Sequence, residues 1–210
     1  MSSAIHIDLH DLGKRYHKEW IFKGVSTSFQ QNSSTGIIGS NGSGKSTLLK
    51  LISAAELCSK GSITYQLENK VLEQENLYLE LSFAAPYIDL IEELSCQELI
   101  EFHLKFKSFQ ENVGVNQFLD LTYLNGSKDK LIRNFSSGMK QRLKLGLAIC
   151  TQSSLLLLDE PCSNLDEKGV QTYHELMDNF NQNRTTIIGS NEQKDELYQI
   201  ENTLRISDYK

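Results

Sequence analysis

Apolar and polar positions alternate near the start of the chain: Ile5, Ile7 and Leu9 are separated by polar residues, as are Val25, Thr27 and Phe29. A period of two predicts half-buried strands. A turn-rich stretch at 31–35 leads into Gly36, Ile37 and Ile38, a short buried-strand pattern, and beyond a glycine-rich loop residues 46–55 predict a helix. Further strands are expected at 62–67 and 77–83. Ser95, Cys96, Gln97 and Glu98 have the form of a capping box. Behind it Leu99, Phe102 and Phe106 share one helical stripe, and Ile100 and Leu104 another. Residues 115–124 continue in helical style. A helix is expected over 137–150, with Met139, Leu143, Leu147 and Cys150 along one side. Leu155 to Leu158 read as a strand buried on both faces. Asp166 is placed to cap a helix whose apolar side is Val170, Tyr173, Met177 and Phe180. Residues 185–189 predict another strand, and 199–206 alternate weakly.

Strands therefore alternate with helices, broken by one helical block near 86–136. This predicts an α/β fold with a mostly parallel sheet, flanking helices and a helical insertion. Apolar residues make up 39% and charged residues 23% of the 210, which excludes a disordered or collagen-like chain. No apolar run approaches the roughly 18–20 residues needed to cross a bilayer. Met1, Ser2, Ser3 and Ala4 show no basic segment followed by an apolar core, so no secretory signal is expected. The four cysteines, Cys58, Cys96, Cys150 and Cys162, form no metal-like spacing, and reduced thiols in a cytoplasmic compartment are the simple expectation. The net charge of −6 argues against a long nucleic acid as partner. Lys14, Arg15, Lys18 and Lys23 form a local basic exception, either a solvated face or an attraction for a phosphorylated ligand.

Gly39, Ser40, Asn41, Gly42, Ser43, Gly44, Lys45, Ser46 and Thr47 match the phosphate-loop pattern G-x-x-x-x-G-K-[ST]. Glycines let successive backbone N–H groups turn inward to phosphate oxygens, and the following helix adds the positive end of its dipole. Lys45 is expected at the β- and γ-phosphates, Ser46 on Mg²⁺, and Thr47 at a phosphate oxygen. Asp159 and Glu160 follow the buried strand at 155–158, at the end where open α/β sheets bind ligands. Asp159 is expected to hold Mg²⁺, and Glu160 to polarise the water that attacks the γ-phosphate.

A third motif narrows the class. Phe135, Ser136, Ser137, Gly138, Met139, Lys140, Gln141 and Arg142 resemble the signature of ABC ATPases, commonly L-S-G-G-Q and a basic residue. Ser163, Asn164, Leu165 and Asp166 resemble that family's D-loop, S-A-L-D. The resemblance covers nearly the whole chain. It implies one ABC ATPase domain over 1–210: a P-loop NTPase core at about 1–85 and 137–210 with an N-terminal antiparallel β subdomain, and a helical subdomain at about 86–136. It further implies that Ser136, Ser137 and Gly138 contact the γ-phosphate of ATP held by a second subunit, that Asp166 communicates across that dimer, and that Tyr16 stacks on adenine, with Trp20 and Phe22 as rivals.

Three positions depart from the family pattern. Ala85 stands where a glutamine usually touches Mg²⁺ and the membrane partner, and Asn191 where a histidine usually contacts the γ-phosphate. The signature itself reads FSSGM. Asparagine donates a hydrogen bond but carries no proton charge. With Glu160 present, a working ATPase is expected, slow or tightly coupled.

The resemblance implies a subunit that binds ATP and Mg²⁺ and powers an ABC transporter. Its expected partners are a second ATPase subunit, joined head to tail as a homodimer on ATP binding, and separate transmembrane subunits. It would lie on the inner face of the cell membrane through those subunits. The alternative is a soluble ABC ATPase acting on a cytoplasmic assembly. A P-loop kinase or GTPase is disfavoured by the signature, and no guanine-reading N-K-x-D is present.

Overall fold

Period-two burial shapes the N-terminal strands. In β1 (Ile5–Tyr16), Ile5, Ile7, Leu9 and Leu12 are all buried, while His10 and Asp11 face solvent. β1 turns at 17–18 into antiparallel β2 (Glu19–Phe29), aligning Ile7 with Phe29 and Tyr16 with Glu19. On its other side β1 pairs antiparallel with β4 (Lys60–Leu67), and β5 (Lys70–Leu72) closes a four-stranded sheet of order β2-β1-β4-β5. A computed structural model supplies these coordinates and describes residues 4–110 and 113–210.

The second sheet has five strands in the order β6-β7-β8-β3-β9. These are β3 (Ser34–Ile38), β6 (Leu81–Ala84), β7 (Leu155–Asp159), β8 (Thr185–Ser190) and β9 (Asn202–Arg205). β7, β8, β3 and β9 run parallel to one another. Every residue of β7 and β8 is buried, which accounts for the unbroken aliphatic run at 155–158. α1 (Lys45–Ile52) follows β3 and buries Leu48, Leu49, Leu51 and Ile52 in a core shared with Leu155, Leu157 and Ile187. Removing any one of these leucines would cost about 2–5 kcal/mol in transfer and cavity terms.

The strand expected over 77–83 is only half present. Leu77–Glu80 is a single helical turn, α2, and β6 begins at Leu81. Leu77 is fully buried while Tyr78 and Leu79 face outward, a spacing a strand does not give.

The chain divides into two compact units. One comprises residues up to Phe83, Ser153–Glu160 and Asn183–Lys210; the other comprises Ala84–Gln152 and Pro161–Gln182. The second unit holds α3 (Cys96–His103), α4 (Val115–Leu121), α5 (Ser137–Cys150) and α6 (Glu167–Phe180). It is therefore larger than the 86–136 segment drawn from sequence, taking in α5 and α6 as well. The capping box on α3 is complete: Glu98 N donates to Ser95 Oγ at 3.3 Å and Ser95 N to Glu98 Oε2 at 2.8 Å. α3 spans only eight residues and ends at His103, so the Leu99–Phe102–Phe106 stripe stops short of Phe106 and reaches the core only at Leu99. Leu99 and Ile100 are buried, whereas Phe102 and Phe106 are exposed and pack edge to face at 5.2 Å. Among the described residues no helix is long and apolar enough to cross a membrane.

Candidate functional site

The phosphate-loop residues 39–44 join β3 to α1. Gly44 is the N-cap of α1 at φ 111°, a left-handed conformation that disfavours L side chains, and a Cβ there would lie 2.9 Å from Ile21 and Phe22. No side chain caps this helix start. Its first N–H groups are thereby left to whatever ligand meets them, as an anion site requires. Ser43 N donates to Ser40 O at 3.1 Å and tightens the loop. The Ser43 hydroxyl is buried and makes no hydrogen bond among the described residues. A phosphate oxygen would satisfy it. Ser46 and Thr47 follow, half-buried on the first turn of α1, and Ser40, Asn41 and Gly42 are exposed.

Lys45 is the centre of this unit's polar network. It is 4% exposed, and Nζ donates to Gly39 O at 3.0 Å, to Ser40 O at 3.2 Å and to Asn191 Oδ1. Glu160 Oε1 stands 3.8 Å away. Nearly all of the ammonium's partners are thus neutral oxygens, a weak offset for a buried charge compared with an anion. Asn191 Nδ2 donates to Glu160 Oε1 at 2.9 Å, closing the set Lys45–Asn191–Glu160.

Asp159 ends β7 at 2% exposure beside Gly189 of β8, with which it is in register. A Cβ on Gly189 would stand 2.6 Å from Asp159 Oδ1, so only glycine leaves the carboxylate its place. Glu160 follows at φ 45°, its N–H donating to Gly189 O at 2.8 Å. The tight backbone turn aims Glu160 toward Lys45 while Asp159 stays buried. The buried Asp159 carboxylate and the half-buried Ser46 hydroxyl are both hard oxygen donors, the chemistry that suits Mg²⁺.

The aromatic expectation is narrowed by burial. Phe22 is fully buried in the core, whereas Tyr16 and Trp20 are about 40% exposed, at 43% and 39%. The Tyr16 hydroxyl donates to the Glu56 carboxylate at 2.7 and 2.9 Å, and Lys14 Nζ lies 5.0 Å from its ring centroid. Partial burial and the Glu56 carboxylate push the Tyr16 phenol above its usual pKa, with Thr47 opposing. Burial pushes the Glu56 carboxyl up, but hydrogen bonds from Tyr16 and Lys14 outweigh it and hold it below the usual range. Arg15 covers Trp20 at 5.6 Å. Two of the four basic residues are thus engaged locally.

In the second unit Ser136 is the N-cap of α5, its Oγ accepting from Met139 N at 3.3 Å. Ser136 and Ser137 are exposed, and Gly138 is half-buried with its Cβ position 3.2 Å from the Asn164 carbonyl. Signature and D-loop are therefore neighbours. Asp166 caps α6, its Oδ1 accepting from Gly169 N at 2.8 Å. Ala85, 1% exposed, presents only its backbone: Lys144 Nζ of α5 donates to Pro86 O at 3.0 Å and to Ala85 O at 3.4 Å. Burial lowers the Lys144 pKa, with Asp89 opposing. The sequence reading missed Gly189, Glu56 and Lys144. Each acts through a partner far away in the chain, and no local pattern marks it.

Residues 22–163 match the ABC transporter family. The chain belongs to that family. An uncharacterized ABC transporter ATP-binding protein of Bacillus subtilis, YcbN, is 29% identical over 171 residues, covering 81% of this chain and 55% of that protein. The chain thus spans little more than half of YcbN. The lantibiotic transport ATP-binding protein SrtF of Streptococcus pyogenes is 29% identical over 187 residues, covering 87% of this chain and 78% of SrtF. In fold, the chain resembles an ATP-binding cassette solved as a dimer in a post-hydrolysis state with ADP and Pi, at TM-score 0.77 and 21% identity over 96% of this chain and 95% of that one.

Proposed function

We propose that this ABC-family chain is the ATP-binding and hydrolysing subunit of a transporter whose membrane-spanning part is a separate subunit. The Lys45–Asn191–Glu160 set at the mouth of a complete phosphate loop carries the reading. Lys45 would exchange its carbonyl partners for the β- and γ-phosphate oxygens, joined by the loop N–H groups and the Ser43 hydroxyl. Ser46 and Asp159 would hold Mg²⁺, which when bound neutralises phosphate charge. Glu160 would accept a hydrogen bond from the attacking water and align it with the γ-phosphorus. Asn191 would steady Glu160 and offer an amide to a γ-phosphate oxygen. Tyr16, with its outer hydroxyl tied to Glu56, would present its ring to adenine.

Ser136, Ser137 and Gly138 belong to the second unit, at the start of α5. They would meet the γ-phosphate on a second copy, giving a head-to-tail homodimer with two composite sites, and Asp166 would stand at the same junction. Force would then pass to the membrane subunit near 85–94, and the chain would sit at the inner membrane face through it.

Phosphate release by the purified chain, with and without Mg²⁺, tests the reading. Mg²⁺-dependent release is expected, and Glu160→Gln should lower it by about a hundredfold or more while leaving ATP binding intact. Equal release by Glu160→Gln would overturn the catalytic assignment. Recovery from detergent-solubilised membranes together with a multi-spanning protein is expected, and recovery only in soluble complexes would overturn transport.

A further inference from the structure

Glu196 is a carboxylate at 1% exposure, one turn of chain beyond Asn191, and no step above uses it. Burying a carboxylate is costly unless it is well hydrogen-bonded. The Ser190 hydroxyl donates to Glu196 Oε2 at 2.6 Å, a charge-assisted bond, and accepts from Gln193 N at 3.2 Å. Ser190 is itself fully buried and ends β8. Its carbonyl accepts from Gly39 N at 3.3 Å, the first N–H of the phosphate loop. The next residue is Asn191, whose amide joins Lys45 to Glu160. One serine thus ties a buried acid to the first N–H of the loop, and the backbone it anchors continues directly into Asn191. The segment carrying Glu196 is anchored too: Leu197 packs so closely on β3 that a Cβ at Gly36 would lie 2.8 Å from it.

We propose that Glu196 is a positioning residue for hydrolysis. Through Ser190 it fixes the 190–193 turn, so that Asn191 holds Glu160 in line with the phosphate loop. The inference rests on the hydrolytic reading of Glu160. Asparagine supplies no charge to pull itself toward Lys45 or Glu160, so its place depends on a rigid backbone, and the buried Ser190–Glu196 bond provides one.

Three variants of the full chain test it: Glu196→Ala, Ser190→Ala and Glu196→Gln. The two alanine variants should lower kcat for ATP about tenfold while leaving ATP affinity within about twofold, as a small displacement of the aligning group predicts. Both should also speed hydrogen exchange at the Gly39 amide without speeding it in β7. Glu196→Gln keeps an acceptor oxygen and should restore both readouts to within about twofold of the original. The double alanine variant should be no worse than either single one, because the two residues act as one unit. Unchanged Gly39 exchange in both alanine variants, or a kcat loss that only tracks lost ATP binding or lost folded protein, would overturn the proposal. The hydrolytic reading fails separately, if the unmodified chain releases no phosphate or if Glu160→Gln is silent. Gly39 exchange then decides the positioning role alone.

Discussion

Asn191 donates from Nδ2 to Glu160 Oε1 at 2.9 Å while its Oδ1 accepts from Lys45 Nζ. One neutral side chain bridges Lys45, the proposed phosphate-binding lysine, and the proposed water-aligning carboxylate, and it does not titrate. The rate of ATP hydrolysis should therefore show no inflection from this position between about pH 6 and 8. Asn191→His should introduce one near the ordinary imidazole value of about 6.5. Asn191→Ala should lower kcat by about ten- to a hundredfold, with ATP affinity little changed. Steady-state phosphate release across that pH range checks all three, and a featureless profile in Asn191→His would count against contact with the reacting groups.

Gly189 lies against Asp159, the proposed metal ligand, from the neighbouring strand. A methyl group there would meet Asp159 Oδ1 at 2.6 Å and Leu49 at 3.0 Å. Gly189→Ala should cost about 1–3 kcal/mol of stability through overpacking. It should also displace Asp159 and raise the Mg²⁺ concentration needed for half-maximal hydrolysis. Thermal unfolding and a Mg²⁺ titration of activity separate the two effects. A Mg²⁺ requirement identical to the original would remove Asp159 from the metal assignment.

Exposure leaves Tyr16 and Trp20 to compete for the base, and the Glu56 bond that steadies the Tyr16 ring favours Tyr16. Tyr16→Ala should weaken ATP binding by about tenfold, the equivalent of a stacking contact worth about 1–3 kcal/mol. Tyr16→Phe keeps the ring and should stay within about twofold, and Trp20→Ala should do the same. Calorimetric titration with ATP ranks the three, and a larger loss in Trp20→Ala than in Tyr16→Ala would reverse the assignment.

What was legible in the chain was whatever neighbouring residues settle among themselves. The loop at 39–47, the run Leu155–Asp159, the capping box at Ser95 and the Asp166 cap all depend on contacts a few residues apart. Stripes were less dependable. Leu143 and Cys150 are buried as expected of α5, but so are Leu145, Gly146, Ala148 and Ile149, because α5 packs on more than one side. Phe106 fails because the helix stops before it. Gly189, Glu196 and Glu56 owe their roles to partners on other strands and turns, and no spacing rule reports such approaches.

His103 gives the second unit a pH dependence with a definite sign. Its Nε2 lies 2.7 Å from Thr151 Oγ1, and the ring stacks on Phe109 at 5.6 Å. Burial, with Lys107 adding repulsion, pushes its pKa down to about 4. The folded chain thus holds the imidazole neutral, whereas the unfolded chain takes up a proton below about pH 6.5. Stability from this group is complete above that value and is lost as pH falls from about 6.5 toward 4. Between pH 7 and pH 5 the loss should be on the order of 2 kcal/mol. His103→Asn, which retains hydrogen-bonding capacity beside Thr151 but cannot be protonated in this range, should be less stable at pH 7 and should lose that much less on acidification. Denaturant unfolding of both proteins at the two pH values provides the measurement. Parallel losses in both would place the acid sensitivity at other groups.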